Sequence, residues 1–519
     1  MSFYIGMDFG NFYSQMTAIM NIDQKTLRGG YALNLCDPAS PDPNGTPSAF
    51  HFSKGKIQCG YPAIKARPRT NIIRYLKRDM RKSITLDGRT FSYGEMITET
   101  IQHCVRVANH QLKAQTQTTC NQIGLSYPAS FSALDREYLV SLAEKGTLED
   151  GTHIKVIGTI QEPAAAALDY LAEHPGAKSE TCVMAYDLGA GTFDVSVVEA
   201  FPNGKRYPQG GTYYYDVRWT AGLPELGGLE FDKIIYDMIL EQAGAKPLNS
   251  EISALMALAE TAKRDLSTME TVYPDAIIGN EPYEVELTRQ EFEKRAEKRV
   301  METVKLVKEA LAAPNVPKPE LILLTGGSSR MPMIRKILIR EIPAYRDKIV
   351  EHRPSQAISC GAARFATVEV NNDPGNTTES KGKILGAVQQ RTTLDLGFSV
   401  YSPFSNIPHI DTAIPQGTPI PFTSRIFHYY TREPNQWYLN TSVYEALKSN
   451  PNINRVDADY QNVMPQSFEF KRAVPKGTPV DLQMVIDKDN ILFVRAWEPS
   501  NKARTEQVWR CSYENWKKR

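Results

Sequence analysis

Up to about residue 370, apolar positions come alternately as short continuous runs and as stripes at three- and four-residue spacing. That alternation predicts strands and helices in turn, the signature of an α/β domain. The runs at 3–5, 16–20, 182–184, 195–198 and 321–324 predict buried strands. Ser92 with Glu95 is a capping-box pattern, and it opens a helix whose apolar face carries Ile97, Ile101, Cys104, Val105, Ala108 and Leu112. Thr288 with Glu291 opens another along Phe292, Val300, Val304, Val307 and Leu311, stopped by Pro314, Pro317 and Pro319. Residues 254–266 and 331 to about 340 predict two more.

Beyond residue 370 the period changes. The stretch 371–382 is polar and turn-rich and reads as a linker, taken to extend to 392. Strand-type alternation follows at 424–430, 438–444, 467–470, 480–486, 491–497 and 507–510, with Asp487-Lys488-Asp489-Asn490 as a hairpin turn. The expectation is an α/β domain over 1–370, a linker over 371–392 and a small all-β domain over 393–519.

Two of the predicted strand pairs carry chemistry at their turns. The first turn reads Asp8-Phe9-Gly10-Asn11-Phe12-Tyr13, the second Asp187-Leu188-Gly189-Ala190-Gly191-Thr192-Phe193-Asp194. Glycine at a hairpin tip lets backbone N–H groups approach an anion, and an adjacent aspartate suits a hydrated Mg²⁺. A lone Asp-x-Gly turn is an ordinary hairpin feature, whereas two of them facing each other would clamp a polyphosphate. A third glycine element, Thr325-Gly326-Gly327-Ser328-Ser329-Arg330, lies between a predicted strand and a predicted helix, where backbone meets a nucleotide. These residues point to ATP.

Composition narrows the partners. Sixty basic residues against fifty-nine acidic ones leave a formal net charge of +1, so no charge excess draws nucleic acid or an anionic membrane, and neither is expected. Seven scattered cysteines without a Cys-x-x-Cys argue against a disulfide framework or a zinc site; Cys182 and Cys360 read as small core residues. The chain opens on a strand and has no apolar run near the roughly eighteen residues that span a bilayer, so a cytoplasmic protein is expected.

Taken in order, these features resemble the seventy-kilodalton heat-shock chaperones, the DnaK-like branch of the actin-like ATPase superfamily. The two hairpins are similar to that family's phosphate motifs, Gly158-Thr159-Ile160-Gln161-Glu162-Pro163 with the alanines after it to its connecting helix, and Glu260 to Ser267 and Gly326 to Arg330 to its adenosine segments. The resemblance implies a two-lobed actin-like ATPase domain followed by a β-sandwich for peptide, with ATP or ADP and Mg²⁺ as cofactors. It implies Lys77, Glu162, Asp187, Thr192 and Asp194 as catalytic residues, with Asp8 and Asp187 holding Mg²⁺ through water. Nucleotide would be bound by Asp8, Gly10, Asn11, Phe12, Tyr13, Gly189, Ala190, Gly191, Thr192, Gly227, Gly228, Glu260, Lys263, Arg264, Ser267, Gly326, Gly327, Ser328 and Arg330. Peptide would meet Phe398, Val400, Tyr401, Trp437 and Tyr438, for each of which buried core is the competing reading. Lys77 and the trio Glu260, Lys263 and Arg264 would, on spacing alone, be solvated charged faces. The implied partners are extended or unfolded peptide segments or one dedicated client, with a J-domain cochaperone and an exchange factor.

The departures shape the expectation. Asn11 and Phe12 stand where the family usually has two threonines, Ala190 replaces a glycine, Ser355 replaces an acidic residue, and the interdomain run 384–390 is weak. No helical lid is expected after the β domain, so bound peptide should leave quickly. The alternatives are a weakly hydrolysing nucleotide-dependent scaffold or exchange factor, a small-molecule kinase of the same superfamily and, last, a filament protein.

Overall fold

The second strand of each expected hairpin folds back on the first with an aspartate beside the tip. Strand Ile5–Asp8 pairs antiparallel with Tyr13–Met20. Strand Thr181–Leu188 pairs with Phe193–Arg206, placing Asp187 opposite Asp194. The computed structural model describes residues 4–23, 26–174, 180–206, 212–371, 387–401, 408–448 and 451–513. Most of the expected linker, 372–386, lies outside them.

Each hairpin occupies the same place in a sheet of the same design. In the first sheet, Ile5–Asp8 has Gln122–Tyr127 as a parallel neighbour and Lys155–Gln161 beyond it, while Tyr13–Met20 carries Tyr31–Asn34 antiparallel on its other side. In the second, Thr181–Leu188 has Leu321–Thr325 and then Ile349–Glu351 in parallel, and Phe193–Arg206 carries Thr212–Leu223 antiparallel. The chain thus builds one lobe on each sheet by the same route.

Parallel neighbours require crossovers, and amphipathic helices supply them. The backbone N–H of Glu95 donates to Ser92 Oγ at 3.1 Å and that of Glu291 to Thr288 Oγ1 at 3.3 Å, so both expected N-caps form. Neither glutamate closes its box, because Arg89 and Arg295 take the side chains instead. The helices Tyr93–Thr116, Ile252–Asp265, Arg289–Ala312 and Pro332–Glu341 stand where the periodicity put them. Phe231, Val300, Val304 and Ile334 pack with Tyr186 and Val195 as the core of the second lobe.

In each lobe the outermost parallel strand is followed by a helix, Glu162–Glu173 in one and Ala357–Asn371 in the other, and these two helices pack together. Between them lies a buried ionic network. Asp169 accepts from Arg364 Nε (2.8 Å), His352 Nε2 (2.9 Å) and Arg353 (3.2 Å), and Glu173 pairs with both arginines. Burial alone would raise the Asp169 carboxyl, but the His352 hydrogen bond and the Arg364 charge outweigh it and hold it below its ordinary value. The arginines already neutralise these carboxylates, so the group is a structural ion network rather than a cation site.

By its contacts the chain divides into two units, Met1–Ser130 with Leu142–Val388, and Phe131–Ser141 with Gln389–Arg519. The second is β-rich. One sheet runs Pro408–Ile414, Leu396–Tyr401, Val443–Ala446, Tyr460–Met464; another runs Phe422–Thr423, Pro479–Ile486, Leu492–Trp497, Gln507–Arg510. Two expected strands are altered. The 424–430 strand forms only over Phe427–Tyr430, because Ser424, just after the short strand Phe422–Thr423, turns its hydroxyl to accept from the Met484 N–H. The 438–444 strand breaks where Asn440 Oδ1 accepts from Ser442 N, sending Gln436–Asn440 and Val443–Ala446 to different sheets.

Within this unit Glu445 is buried and accepts from the backbone N–H of Ala133. Burial pushes its carboxyl up to about 8. The folded chain therefore holds a proton that the unfolded chain releases nearer 4.5, and stability drains away as pH rises between those values. Glu445→Gln keeps the acceptor and removes the titration. It is expected to melt above the wild type at about pH 8 and level with it only at about pH 4 and below, read by differential scanning fluorimetry.

Candidate functional site

The first hairpin's tip is wired to the lysine segment. Asn11 accepts from the backbone of Tyr75 through its carbonyl (3.2 Å) and from the N–H of Arg78 through Oδ1 (3.1 Å). Tyr75 is held at φ 58°, a left-handed conformation costing a bulky side chain about 1–3 kcal/mol. The short helix Leu76–Asp79 that follows buries Lys77, which donates to the Glu162 carboxylate. Lys77 is only 4 % exposed, so the solvated-face reading fails there, while the neighbouring Arg81 and Lys82 do face solvent.

The second tip is closed by Gly189 N to Thr192 O at 3.1 Å and is backed by the glycine pair, with Gly228 N donating to Gly189 O and Leu229 N to Ala190 O. Ala190 is absent from the positive-φ residues, so its methyl group is tolerated. A Cβ on Gly191 would stand 2.3 Å from Asn11 Nδ2: the two tips meet through the Asn11 side chain. Gly326, at φ 79°, lies so close to Leu188 that a Cβ would come within 2.4 Å of its carbonyl.

Around the tips four carboxylates gather with one buried lysine. Asp8 is pushed up to about 7 by burial and then by Glu162, with Ser126 donating to it at 3.2 Å. Asp194 is likewise raised to about 7, by burial and then Glu162, while accepting from Ser130 N. Asp187 is also held well above its ordinary value, by burial and then by Glu162, Asp194 and Asp8. Among the described residues Asp187 Oδ1, Asp194 Oδ2 and Thr325 Oγ1 are buried without a hydrogen-bond partner. Uncompensated negative charge and orphaned oxygens at one spot suit a hydrated divalent cation.

A cavity of about 400 Å³ opens here. Of the residues expected at a nucleotide, Asp8, Gly10 to Tyr13, Lys77, Glu162, Asp187, 189–192, Gly228, Glu260, Lys263, Arg264, Ser267, 326–328 and Arg330 line it. Asp194 and Gly227 do not: Asp194 is fully buried, and Gly227 is tucked against the Gly191 backbone. Lys263 is buried, with Nζ 2.6 Å from Asp232 and donating to Gly228 O. Arg264 and Glu260 make the (i, i+4) pair that spacing suggested, at 2.7 Å, yet also border the cavity. Sequence reading missed Gln15, Asp42, Tyr75, Asp232, Met331, Pro354, Gln356 and Ile358 among the lining residues, whereas Ser355, singled out as a departure, does line the cavity. Asp232 could have been found, as the acid one turn into the helix opened by the glycine pair; the loop residues left no local signal.

The expected peptide residues separate. Phe398 is 1 % exposed, with its ring against Phe427 and Tyr429, so the buried-core reading holds for it. Val400 is half-buried, and Tyr401, Trp437 and Tyr438 are exposed, with the Arg432 guanidinium 4.7 Å from the Tyr401 ring centre.

Two sheets of one design, each sending an aspartate–glycine hairpin to a common cavity, define the actin-like ATPase fold, here joined to a β-sandwich. The profile of the family described as Hsp70 protein matches residues 63–512, and the chain belongs to that family. It is thus one of the nucleotide-binding chaperones, a family whose members are generally Mg²⁺-dependent ATPases and typically bind unfolded peptides and cochaperones. Among the described residues no helix is long and apolar enough to cross a membrane.

Proposed function

We propose that this chain binds and hydrolyses Mg²⁺-ATP between its two hairpins and binds extended peptide through its β domain. The observation that carries the reading is the meeting of the tips through Asn11 and Gly191, beside Lys77 and the raised carboxylates of Asp8 and Asp187. Phosphoryl transfer to water asks for positioning and charge neutralisation more than covalent chemistry. Backbone N–H groups of 10–13 and 189–192 cradle the phosphates. Lys77 orients the γ-phosphate and the attacking water, and Glu162 orders that water, while Asp194, buried opposite Asp187, acts on the site through its charge. Asp8 and Asp187 hold the water shell of Mg²⁺, which when bound neutralises phosphate charge. Glu260, Lys263, Arg264, Ser267 and Arg330 surround adenosine.

Peptide binding rests on the exposed Tyr401, Trp437 and Tyr438. The full chain should bind an unfolded model peptide with a dissociation constant in the micromolar range, and Trp437→Ala with Tyr438→Ala should weaken it about ten-fold. Fluorescence anisotropy reads this; unchanged affinity in the double variant would remove the peptide surface. A J-domain cochaperone and an exchange factor are the partners this reading brings, and seven free thiols fit a cytoplasmic home. A second reading, a slowly hydrolysing scaffold for one dedicated client, is favoured by Phe12, whose ring supplies no hydroxyl to the phosphates. Single-turnover hydrolysis separates the two.

A further inference from the structure

The near-neutral total charge hides a local imbalance. Residues 54–95 hold eleven basic side chains against three acidic ones, while the rest of the chain holds forty-nine against fifty-six. An excess of +8 on this stretch therefore sits on a remainder of −7. Its three acids are already engaged. Asp79 pairs with Lys82 at 2.7 Å and Glu95 with Arg89 at 2.8 Å. Asp87 accepts from Ser53 Oγ and the Lys54 N–H at 3.0 Å and from Asn71 Nδ2 at 3.4 Å. Among the described residues no carboxylate pairs with Lys54, Lys56, Lys65, Arg67 or Arg69, and all five are exposed. One small sheet gathers them. Phe50–Ser53 is its middle strand, with Lys56–Cys59 antiparallel on one side and Ile72–Ile73 on the other. Lys65 ends the helix Gly60–Lys65, and Arg67 Nη1 donates to the Lys65 and Ala66 carbonyls, which keeps its guanidinium beside that helix end. Arg69 opens the short turn Arg69–Asn71, which Asn71 ties to the Phe52 carbonyl at 2.9 Å. Asp87 thus touches both the Lys54 hairpin tip and the Arg69 turn, holding them at one edge.

We infer that this small sheet is a docking surface for a short acidic segment of a partner protein, with Lys54, Lys56, Lys65, Arg67 and Arg69 as its cations. Like charges kept together without counter-charges repel one another, and a ligand of opposite sign relieves that repulsion. Two observations fix the class of ligand. The excess is confined to one stretch, so a long polyanion such as RNA would run off it onto a chain that is net negative. In addition, none of the exposed large aromatic residues lies between 54 and 95, so unpaired bases find no stacking platform there. A few consecutive carboxylates match both the sign and the extent of the surface. None of the five cations lines the nucleotide cavity, so the surface stands independently of the proposed catalysis.

The test is fluorescence anisotropy of a labelled peptide of about eight glutamates titrated with the full chain, beside a labelled oligouridylate and vesicles containing phosphatidylserine. The peptide is expected to bind with a dissociation constant on the order of 10 µM at low salt and several-fold more weakly at physiological salt. Joint replacement Lys65→Gln, Arg67→Gln and Arg69→Gln should weaken it about ten-fold, the scale of three exposed ion pairs. Arg67→Lys with Arg69→Lys, which keeps the charge, should bind as the wild type does, and thermal melts check that each variant is folded. Lys471→Gln, Arg472→Gln and Lys476→Gln remove three exposed cations from the β-rich unit and should leave the affinity unchanged. Wild-type affinity in the folded triple variant at 65–69 would overturn the surface, and a loss only on changing 471–476 would move the acidic peptide to the β domain. Tighter binding of the oligouridylate or the vesicles through the same residues would overturn the acidic segment as the partner.

Discussion

Lys77→Ala is expected to lower ATP turnover about a hundred-fold while nucleotide affinity stays within a few-fold, the scale of removing one preorganised charge aimed at the transition state. The asymmetry follows from what each group touches. Affinity draws on the backbone of both tips and on the adenosine segment, none of which the substitution alters. Lys77 is buried, reaches the Glu162 carboxylate, and is the one lysine among four carboxylates at the tips. Its loss leaves the Glu162 carboxylate without that hydrogen-bond partner, so Glu162 is held less firmly where it would order water. Single-turnover hydrolysis by rapid quench, beside equilibrium titration with ADP, checks both halves. Wild-type single-turnover rates in this variant would take Lys77 out of the mechanism.

Asp187→Asn is expected to cut the Mg²⁺ dependence of nucleotide binding at least ten-fold, because an outer-sphere carboxylate is lost from the ion's support. The same change should stabilise the unliganded chain. Burial and then Glu162, Asp194 and Asp8 hold the Asp187 carboxyl well above its ordinary value. A raised carboxyl contributes stability at low pH that is lost as pH rises toward the folded value, so the wild type carries a growing penalty there. The asparagine variant escapes that penalty. Its melting temperature without ligand should therefore exceed the wild type's at neutral pH and converge with it only below about pH 4, where the carboxyl is protonated folded and unfolded alike. Equal affinity with and without magnesium in the wild type would refute the cation site; an unchanged melt would refute the crowding of charge.

Much of this was legible in the chain because it was written locally. Each hairpin is encoded within a single short stretch, 3–20 and 182–198, by an apolar run, a small-residue turn and a second run, and the helix caps at Ser92 and Thr288 are a matter of three-residue spacing. What stayed hidden is set by distant approach. That Lys77 is buried, amid a basic run that reads as solvated, depends on Asn11 pinning the following turn. The Asp169–Arg364 network joins helices far apart in sequence, and neither residue has a neighbour that announces it. The shortened strand near Ser424 and the split one near Asn440 come from single side chains competing with the backbone for hydrogen bonds, which alternation of apolar and polar positions does not register. Phe398 is core because its strand lies inside a sheet, a fact fixed only by pairing.

Asn11 has one side chain and two obligations. Its oxygen holds the turn that seats Lys77, and its nitrogen lies against Gly191 of the opposite tip. Separation of the tips therefore tugs on the very residue that keeps Tyr75 in its strained conformation. Under the proposed reading, any parting of the tips would loosen the lysine's seat, so chemical competence would belong to the shut cleft and not to either lobe. A machine built this way would waste little fuel, since a nucleotide caught by one lobe alone would meet no finished catalyst.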